Sequence, residues 1–372
     1  MMRIGIDARL AYHRQAGITR YARNLCSALC ALESGDRFTV FHHRCQPPAK
    51  RVPADWRHRT LFSPVHHAWE QAGLALELSL GRWDVVHFPD FIGPLRTRLP
   101  TVITVHDLAF LKWPEVLTDD AAAYYGQLPG AVRHAAGILV PSRHTAADLA
   151  TRFPEAAGKT TVVPHAVDPG FLQDSMDPNA TAIPKPDWLP DDYLLHVGTL
   201  EPRKNIATLL SAFAMVHARP EGRRLMLVLA GASGWLQDDM EEQAAKRGIE
   251  NACVFAGQLS EPSLAQAYRH ARCLVHPALY EGFGFTLLEA MASGTPVVCS
   301  NASCLPEIAG NAALTHDPGN PEAVASNVLA LLNSKELVSD LVNKGHKRVL
   351  EFSWKKAARQ TLNVYRAAAR HT

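Results

Sequence analysis

No stretch of this sequence runs for about 18 apolar residues without a break, so nothing in it reads as a membrane-spanning helix. Neither a Cys-x-x-Cys pair nor a zinc-type Cys/His spacing occurs. The seven cysteines are scattered and odd in number, which argues against a disulfide framework and fits reduced thiols in a cytoplasmic protein. A complete Gly-x-Gly-x-x-Gly fingerprint is missing, which disfavours an NAD enzyme. No Asp-x-Asp pair stands at a strand end to hold a divalent metal. An excess of one charge is missing too. Lys+Arg number 38 and Asp+Glu 36, a net charge of +2, too little for bulk nucleic-acid binding. The opening "MMRIGIDARLAYHR" interrupts its apolar run with Arg3 and Asp7 and is not expected to be a signal peptide.

What is present is an alternation of short Val- and Ile-rich runs with longer helical patterns. The first half offers strand candidates at 3–7, 37–42, 84–88, 101–105, 137–141 and 160–164. Between the first two, Ile18, Tyr21, Ala22, Leu25, Leu29 and Leu32 share one helical face. The second half repeats the design with candidates at 193–197, 225–231, 252–257, 273–277 and 295–300. Such alternation predicts an α/β protein with parallel sheets covered by helices on both sides. A chain of 372 residues is long enough for two such domains. Residues 168–192 hold five prolines and six aspartates without periodicity and read as a junction. The expected division is 1–170, a linker at 171–192, a second domain at 193–352, and a last helix at 353–372. That helix carries Trp354, Ala357, Ala358, Leu362 and Tyr365 on one side.

The stretch "CLVHPALYEGFGFTLLEAM" has the layout strand, turn, helix. Ligands of parallel sheets bind at the carboxyl ends of strands. Gly282 and Gly284 let the backbone approach a ligand closely. A helix opening near Thr286 offers its N-terminus to anions. Glu281 in the loop and Glu289 one turn into the helix suit a hydroxyl-rich partner, since a carboxylate accepts several hydrogen bonds. Thr286-x-x-Glu289 also fits a plain capping box, and Glu281 also fits a solvated loop position.

These residues carry a resemblance. The pattern P-x-x-x-E-G-F-G-x-x-x-L-E-A-M-A-x-G-x-P-V-V, with Glu281 and Glu289 as its acids, resembles the signature of retaining, nucleotide-sugar-dependent glycosyltransferases of family 4. The resemblance implies the GT-B fold: two Rossmann-like doubly wound domains facing across a cleft, with the C-terminal helix crossing back to the N-terminal domain. It implies that Glu289 binds the donor ribose and Glu281 the 3- and 4-hydroxyls of the sugar. Backbone around Gly282, Phe283, Gly284, Phe285 and Thr286 would hold sugar and phosphate.

Other stretches fit the same reading. "HVGTLEPRKN" leaves a strand at Gly198 and sets Arg203 and Lys204 before a helix. They read either as an exposed basic pair or as cations for a diphosphate; the resemblance implies the second, with both stabilising the leaving group. His106 and Asp107 follow the strand at 101–105. They are a polar strand end or, as the resemblance implies, a histidine lying against the transferred sugar with Asp107 as its support. Gly17 opens the first helix and is matched to a donor-side loop. Gln258 and Leu259 resemble the segment that reads the nucleobase. Ser142 reads as a helix N-cap or an acceptor contact. His165 and Ala166 stand where the family has Asn-Gly, and His165 is carried as an acceptor-side residue.

The expected activity is transfer of a hexose, mannose from GDP-mannose, to a glycan acceptor such as a lipid-linked oligosaccharide of a bacterial surface polysaccharide, with no metal and no further cofactor. The alternatives are a sugar-nucleotide epimerase of the same fold or a non-catalytic sugar-nucleotide-binding protein. The basic run at 42–59, with Arg44, Lys50, Arg51, Arg57 and Arg59, is a solvated loop or an approach to anionic lipid. Beside it, Leu74, Leu76, Leu78 and Leu80 near Trp69 read as a core helix or an interfacial one. Peripheral contact with the cytoplasmic membrane face is therefore part of the expectation.

Overall fold

The apolar runs of the first half pair as a seven-stranded, all-parallel sheet in the computed structural model, which describes residues 1–9, 17–45, 53, 55–65, 69–172, 185–232 and 237–370. The strands are β1 Arg3–Asp7, β2 Arg37–His43, β3 Arg57–Leu61, β4 Val85–Phe88, β5 Thr101–Thr104, β6 Gly137–Val140 and β7 Thr160–Val162. Their spatial order is β3-β2-β1-β4-β5-β6-β7. The inner strands are buried on both faces, as in β4, where Val85, Val86, His87 and Phe88 are all covered. The edge strand β3, RHRTL, is largely polar, which limits unwanted pairing at an edge. Part of the basic run is thus a strand rather than a loop, while Lys50 and Arg51 lie outside the described residues.

The second sheet has six parallel strands: β8 Tyr193–Val197, β9 Met226–Ala230, β10 Cys253–Gly257, β11 Cys273–His276, β12 Val297–Ser300 and β13 Leu314–His316. Their order is β10-β9-β8-β11-β12-β13. One face packs Tyr193, Leu195, Val228, Leu274 and Val297 against Leu287, Leu288 and Met291 of a covering helix. The other packs Leu194, Leu227, Leu229, Val275 and Val298 against Leu209, Leu210 and Phe213. Successive side chains alternate between these two cores, as the pleat requires. In both sheets the strand order reverses once, between β1 and β4 and between β8 and β11. These are the topological switch points where open α/β sheets bind ligands.

The chain separates into two units, Met1–His165 with Ser353–Thr372, and Ala166–Phe352. Phe171, Leu172 and Leu189, from the segment read as a linker, pack into the second unit's core. The C-terminal helix Trp354–Ala368 belongs to the first unit. It buries Trp354, Ala357, Ala358, Thr361, Leu362, Tyr365 and Ala368 on one face. The Tyr365 hydroxyl reaches His87 Nδ1 at 2.6 Å, and His87 Nε2 meets Thr104 Oγ1 at 2.8 Å, so the histidine inside β4 has a partner on each side. Among the described residues, no helix is long and apolar enough to cross a membrane.

Candidate active site

The second unit's switch point gathers the acid and the two cations read from the sequence. After β8 the chain turns at Gly198, whose φ of +154° is unusual for a residue with a side chain, and a Cβ there would come within 3.2 Å of Lys204 Cε. A short turn, Pro202–Lys204, then presents the basic pair. Asn205, left-handed at φ +58°, donates through Nδ2 to the Pro277 and Pro318 carbonyls at 3.1 and 2.7 Å. The Leu279 amide donates to the Arg203 carbonyl at 2.8 Å. The loops after β8 and β11 are therefore bonded to each other directly.

Inside that junction Glu281 is 8% exposed and Lys204 6%. Arg203 Nη1 donates to Glu281 Oε2 at 2.8 Å, and Lys204 Nζ donates to Oε1. His276 Nε2 stands 2.9 Å from the same Oε1. The Glu281 amide donates to Ser303 Oγ at 2.9 Å. Arg203 Nη2 also holds Glu201 at 2.7 Å. Burial alone would raise the Glu281 carboxyl; Lys204 and Arg203, with the His276 hydrogen bond, outweigh it and hold the group well below the usual carboxylate range.

The helix after the glycine corner begins one residue earlier than expected. It spans Phe285–Ala292, with Gly284 as N-cap in the left-handed region at φ +83° and no side-chain cap. The Thr286–Glu289 capping box does not form. Thr286 sits inside the first turn, and its buried hydroxyl has no hydrogen-bond partner in the structure. Glu289, 1% exposed, instead accepts from the Tyr268 hydroxyl at 2.9 Å. The two acids thus enter different networks, Glu281 with the β8 loop and Glu289 with the helix Glu261–His270. Phe283 is buried in the core, its ring edge-on to Phe285 at 5.2 Å. Gln258, exposed, and Leu259, partly buried, follow β10, two strands from β8 and so roughly 10 Å across the sheet.

In the first unit, His106 follows β5 and its Nε2 donates to the Pro89 carbonyl at 2.8 Å, beyond the end of β4. Its Nδ1 lies 3.4 Å from His165 Nε2. His165 is buried, stacks on Trp354 at 6.0 Å and 14°, and packs on Tyr21. The Asp107 Oδ1 accepts from the Ala109 amide at 2.9 Å and caps the next turn, while its charge acts on His106 through space. Ser142 is a helix N-cap, accepting from the Thr145 amide at 3.1 Å while buried. Gly17 begins the helix Gly17–Cys30, and residues 10–16 before it lie outside the described ones. The unit's own switch point is a crevice lined by Asp7, Glu70, Phe88, Asp90, Ile92 and Tyr124. Asp90 there accepts from the Tyr124 hydroxyl at 2.9 Å, and the buried Arg9 joins Asp7 to Glu70.

Sequence reasoning passed over His276, Ser303, Tyr268, Asn205 and the Arg9 network. His276 left a visible mark: a histidine closing an apolar strand five residues before Glu281. Among the described residues, no group of three or more His, Cys, Asp or Glu side chains is placed to hold a metal.

Residues 16–171 match the family described as Glycosyltransferase Family 4, and residues 182–348 the one described as Glycosyl transferases group 1. An O-antigen chain mannosyltransferase B from Escherichia coli is 31% identical over 284 residues, covering 76% of this chain and 74% of that protein. The chain belongs to the family 4 glycosyltransferases. This glycosyltransferase shares its fold with sucrose-phosphate synthase from Thermosynechococcus elongatus, at a TM-score of 0.76 and 22% identity over the full length of both chains. WaaG, a glycosyltransferase involved in lipopolysaccharide biosynthesis, follows at 0.72 and 17% identity, covering 97% of this chain and 98% of that one. Both neighbours have the two parallel-sheet Rossmann-like domains of the GT-B fold.

Proposed function

We propose that this enzyme is a retaining mannosyltransferase that moves mannose from GDP-mannose to a glycan acceptor, a lipid-linked oligosaccharide of a bacterial surface polysaccharide. The observation that carries the reading is the half-buried Arg203 with the buried Lys204 and Glu281 at the β8/β11 switch point, beside the helix N-terminus that Gly284 opens. The donor diphosphate draws Arg203 and Lys204 away from Glu281. The leaving charge is then stabilised by a planar fork, a point cation and the helix tip. The unpartnered Thr286 hydroxyl supplies one more donor there. Glu289 takes the ribose, and Gln258 and Leu259 border the base. Glu281 reads the sugar hydroxyls.

Catalysis on this account is positioning and electrostatics. The acceptor hydroxyl attacks from the face the diphosphate leaves, and the departing phosphate takes its proton. His106 orients the sugar, Gly17 serves the donor side, and Ser142 and His165 serve the acceptor. The similarity to an O-antigen chain mannosyltransferase supports mannose and a surface-polysaccharide acceptor.

Membrane contact is part of this reading. In the helix Glu70–Ser79 and just beyond its two ends, Leu74 and Leu78 are core while Trp69, Leu76 and Leu80 are exposed, at 73%, 65% and 75%. Exposed Phe62 lies under the Arg44 guanidinium at 5.7 Å. An apolar stripe edged by cations suits an anionic lipid surface.

The deciding experiment is thermal shift with GDP, GDP-mannose, UDP and NAD, followed by glycan product analysis with GDP-mannose. Stabilisation by the guanosine pair and an α-mannosyl product is the expected result. Selective stabilisation by UDP would overturn the donor, and no shift with any nucleotide would overturn the enzyme reading.

A further inference from the structure

We infer that His276 is a positioning residue that holds Glu281 in place when Arg203 and Lys204 turn to the donor diphosphate, leaving Glu281 Oε2 as the atom that reads the sugar. The inference rests on the proposed donor site and goes beyond it.

His276 is the last residue of β11, fully buried, and its Nε2 stands 2.9 Å from Glu281 Oε1. An ionised carboxylate only accepts, so the proton of this bond belongs to His276 Nε2. The ring is fixed from the side by His196, also fully buried, stacked at 5.6 Å and 11°. His196 is itself tied by an Nδ1 hydrogen bond to the Val275 carbonyl at 3.0 Å. Burial lowers His276, and the nearby Lys204 and Arg203 lower it further against the opposing pull of Glu281, so it stays a neutral donor.

Neutrality is what separates His276 from its neighbours. Arg203 and Lys204 are long cations whose charge an arriving diphosphate recruits. A neutral imidazole walled in by a second ring has no such alternative. Once the cations move, Oε1 keeps His276, the Glu281 amide keeps Ser303, and Oε2, vacated by Arg203, points its lone pairs at the incoming hydroxyls. The carboxylate is then aimed by a neutral donor, with no charged partner competing for phosphate.

The test compares GDP-mannose with GDP by calorimetry on wild type, His276→Phe and His276→Gln. GDP lacks the sugar, so loss of Glu281 aim should leave its affinity within about twofold. His276→Phe should weaken GDP-mannose by about tenfold or more, the scale for a hydrogen bond to a charged group. His276→Gln keeps an N–H at similar reach and should recover most of the loss. Equal weakening of GDP and GDP-mannose, or a Gln variant as poor as Phe, would overturn the inference. In wild type, histidine nitrogen NMR should show His276 protonated on Nε2 alone, with and without donor; an Nδ1 tautomer or an imidazolium would overturn it even if His276→Phe fails to fold. A wild type that binds no sugar nucleotide overturns the donor reading and this inference together. Wild-type binding with an unchanged His276→Phe overturns this inference alone.

Discussion

The Lys204 ammonium and the Glu281 carboxylate form a buried ion pair between the loops that follow β8 and β11, the two strands at which the second sheet reverses its order. Arg203 takes the other carboxylate oxygen. In this state the acid occupies the cations that a diphosphate would use.

Removing Lys204 therefore strikes the leaving group. Lys204→Ala should lower turnover at saturating donor by at least ~100-fold, the scale for losing one oxyanion-type contact. Steady-state kinetics with GDP-mannose checks this. Near-normal turnover would remove Lys204 from the mechanism.

Glu289 should behave differently from Glu281. Its proposed partner is the ribose, which GDP and GDP-mannose share. Glu289→Gln should weaken both about equally, by roughly tenfold, as expected for a hydrogen bond to a charged group. A loss confined to GDP-mannose would assign Glu289 to the sugar instead.

Acid should unfold this protein earlier than its carboxylates alone would dictate. Burial holds His87 and His196 down at about 3, and lowers His165 and His276 as well. In the unfolded chain these rings titrate near about 6.5. Between those values the unfolded state binds protons that the folded state refuses, so stability falls as pH drops below about 6.5. Glu281, depressed when folded, adds a second loss below about 4.3, its unfolded value. Melting temperature measured from pH 7 to pH 4 should fall steadily, and His87→Phe should flatten the slope. A flat wild-type profile down to pH 5 would contradict the buried neutral rings.

Trp354 walls the His165–His106 pair from the C-terminal helix. Trp354→Ala opens a cavity there and should destabilise the protein by roughly 3 kcal/mol or more. Denaturant titration reads this directly. A loss below about 1 kcal/mol would show that the stack contributes little.

Membrane contact is the most separable part of the functional reading. Trp69→Ser with Leu76→Ser should reduce binding to phosphatidylglycerol vesicles several-fold while leaving transfer to a water-soluble acceptor unchanged, since both side chains are exposed. Equal vesicle binding by wild type and variant would move the contact elsewhere.

The strands with continuous apolar runs, such as β6 and β9, were legible in the sequence because burial on both faces demands such runs. Polar β3 and β13 were not, because an edge strand has one covered side and Leu-Thr-His carries no aliphatic run. Arg203, Lys204 and Glu281 could be picked out one by one from their place after a strand. Their mutual pairing could not, since it joins residues 77 and 78 positions apart through strand order alone. The capping box misled for a different reason: Gly284 reaches the left-handed region cheaply and starts the helix a residue sooner than Thr286 would.

The first unit is discontinuous in sequence. The Trp354–Ala368 helix that covers Tyr21, His87 and His165 is synthesised only after the whole of the second unit. The second unit, contiguous from Ala166 to Phe352, is complete before then and is free to fold first. A message cut short ahead of codon 353 would yield one finished half and one with an open seam, which makes this enzyme a poor candidate for division into halves by a single break.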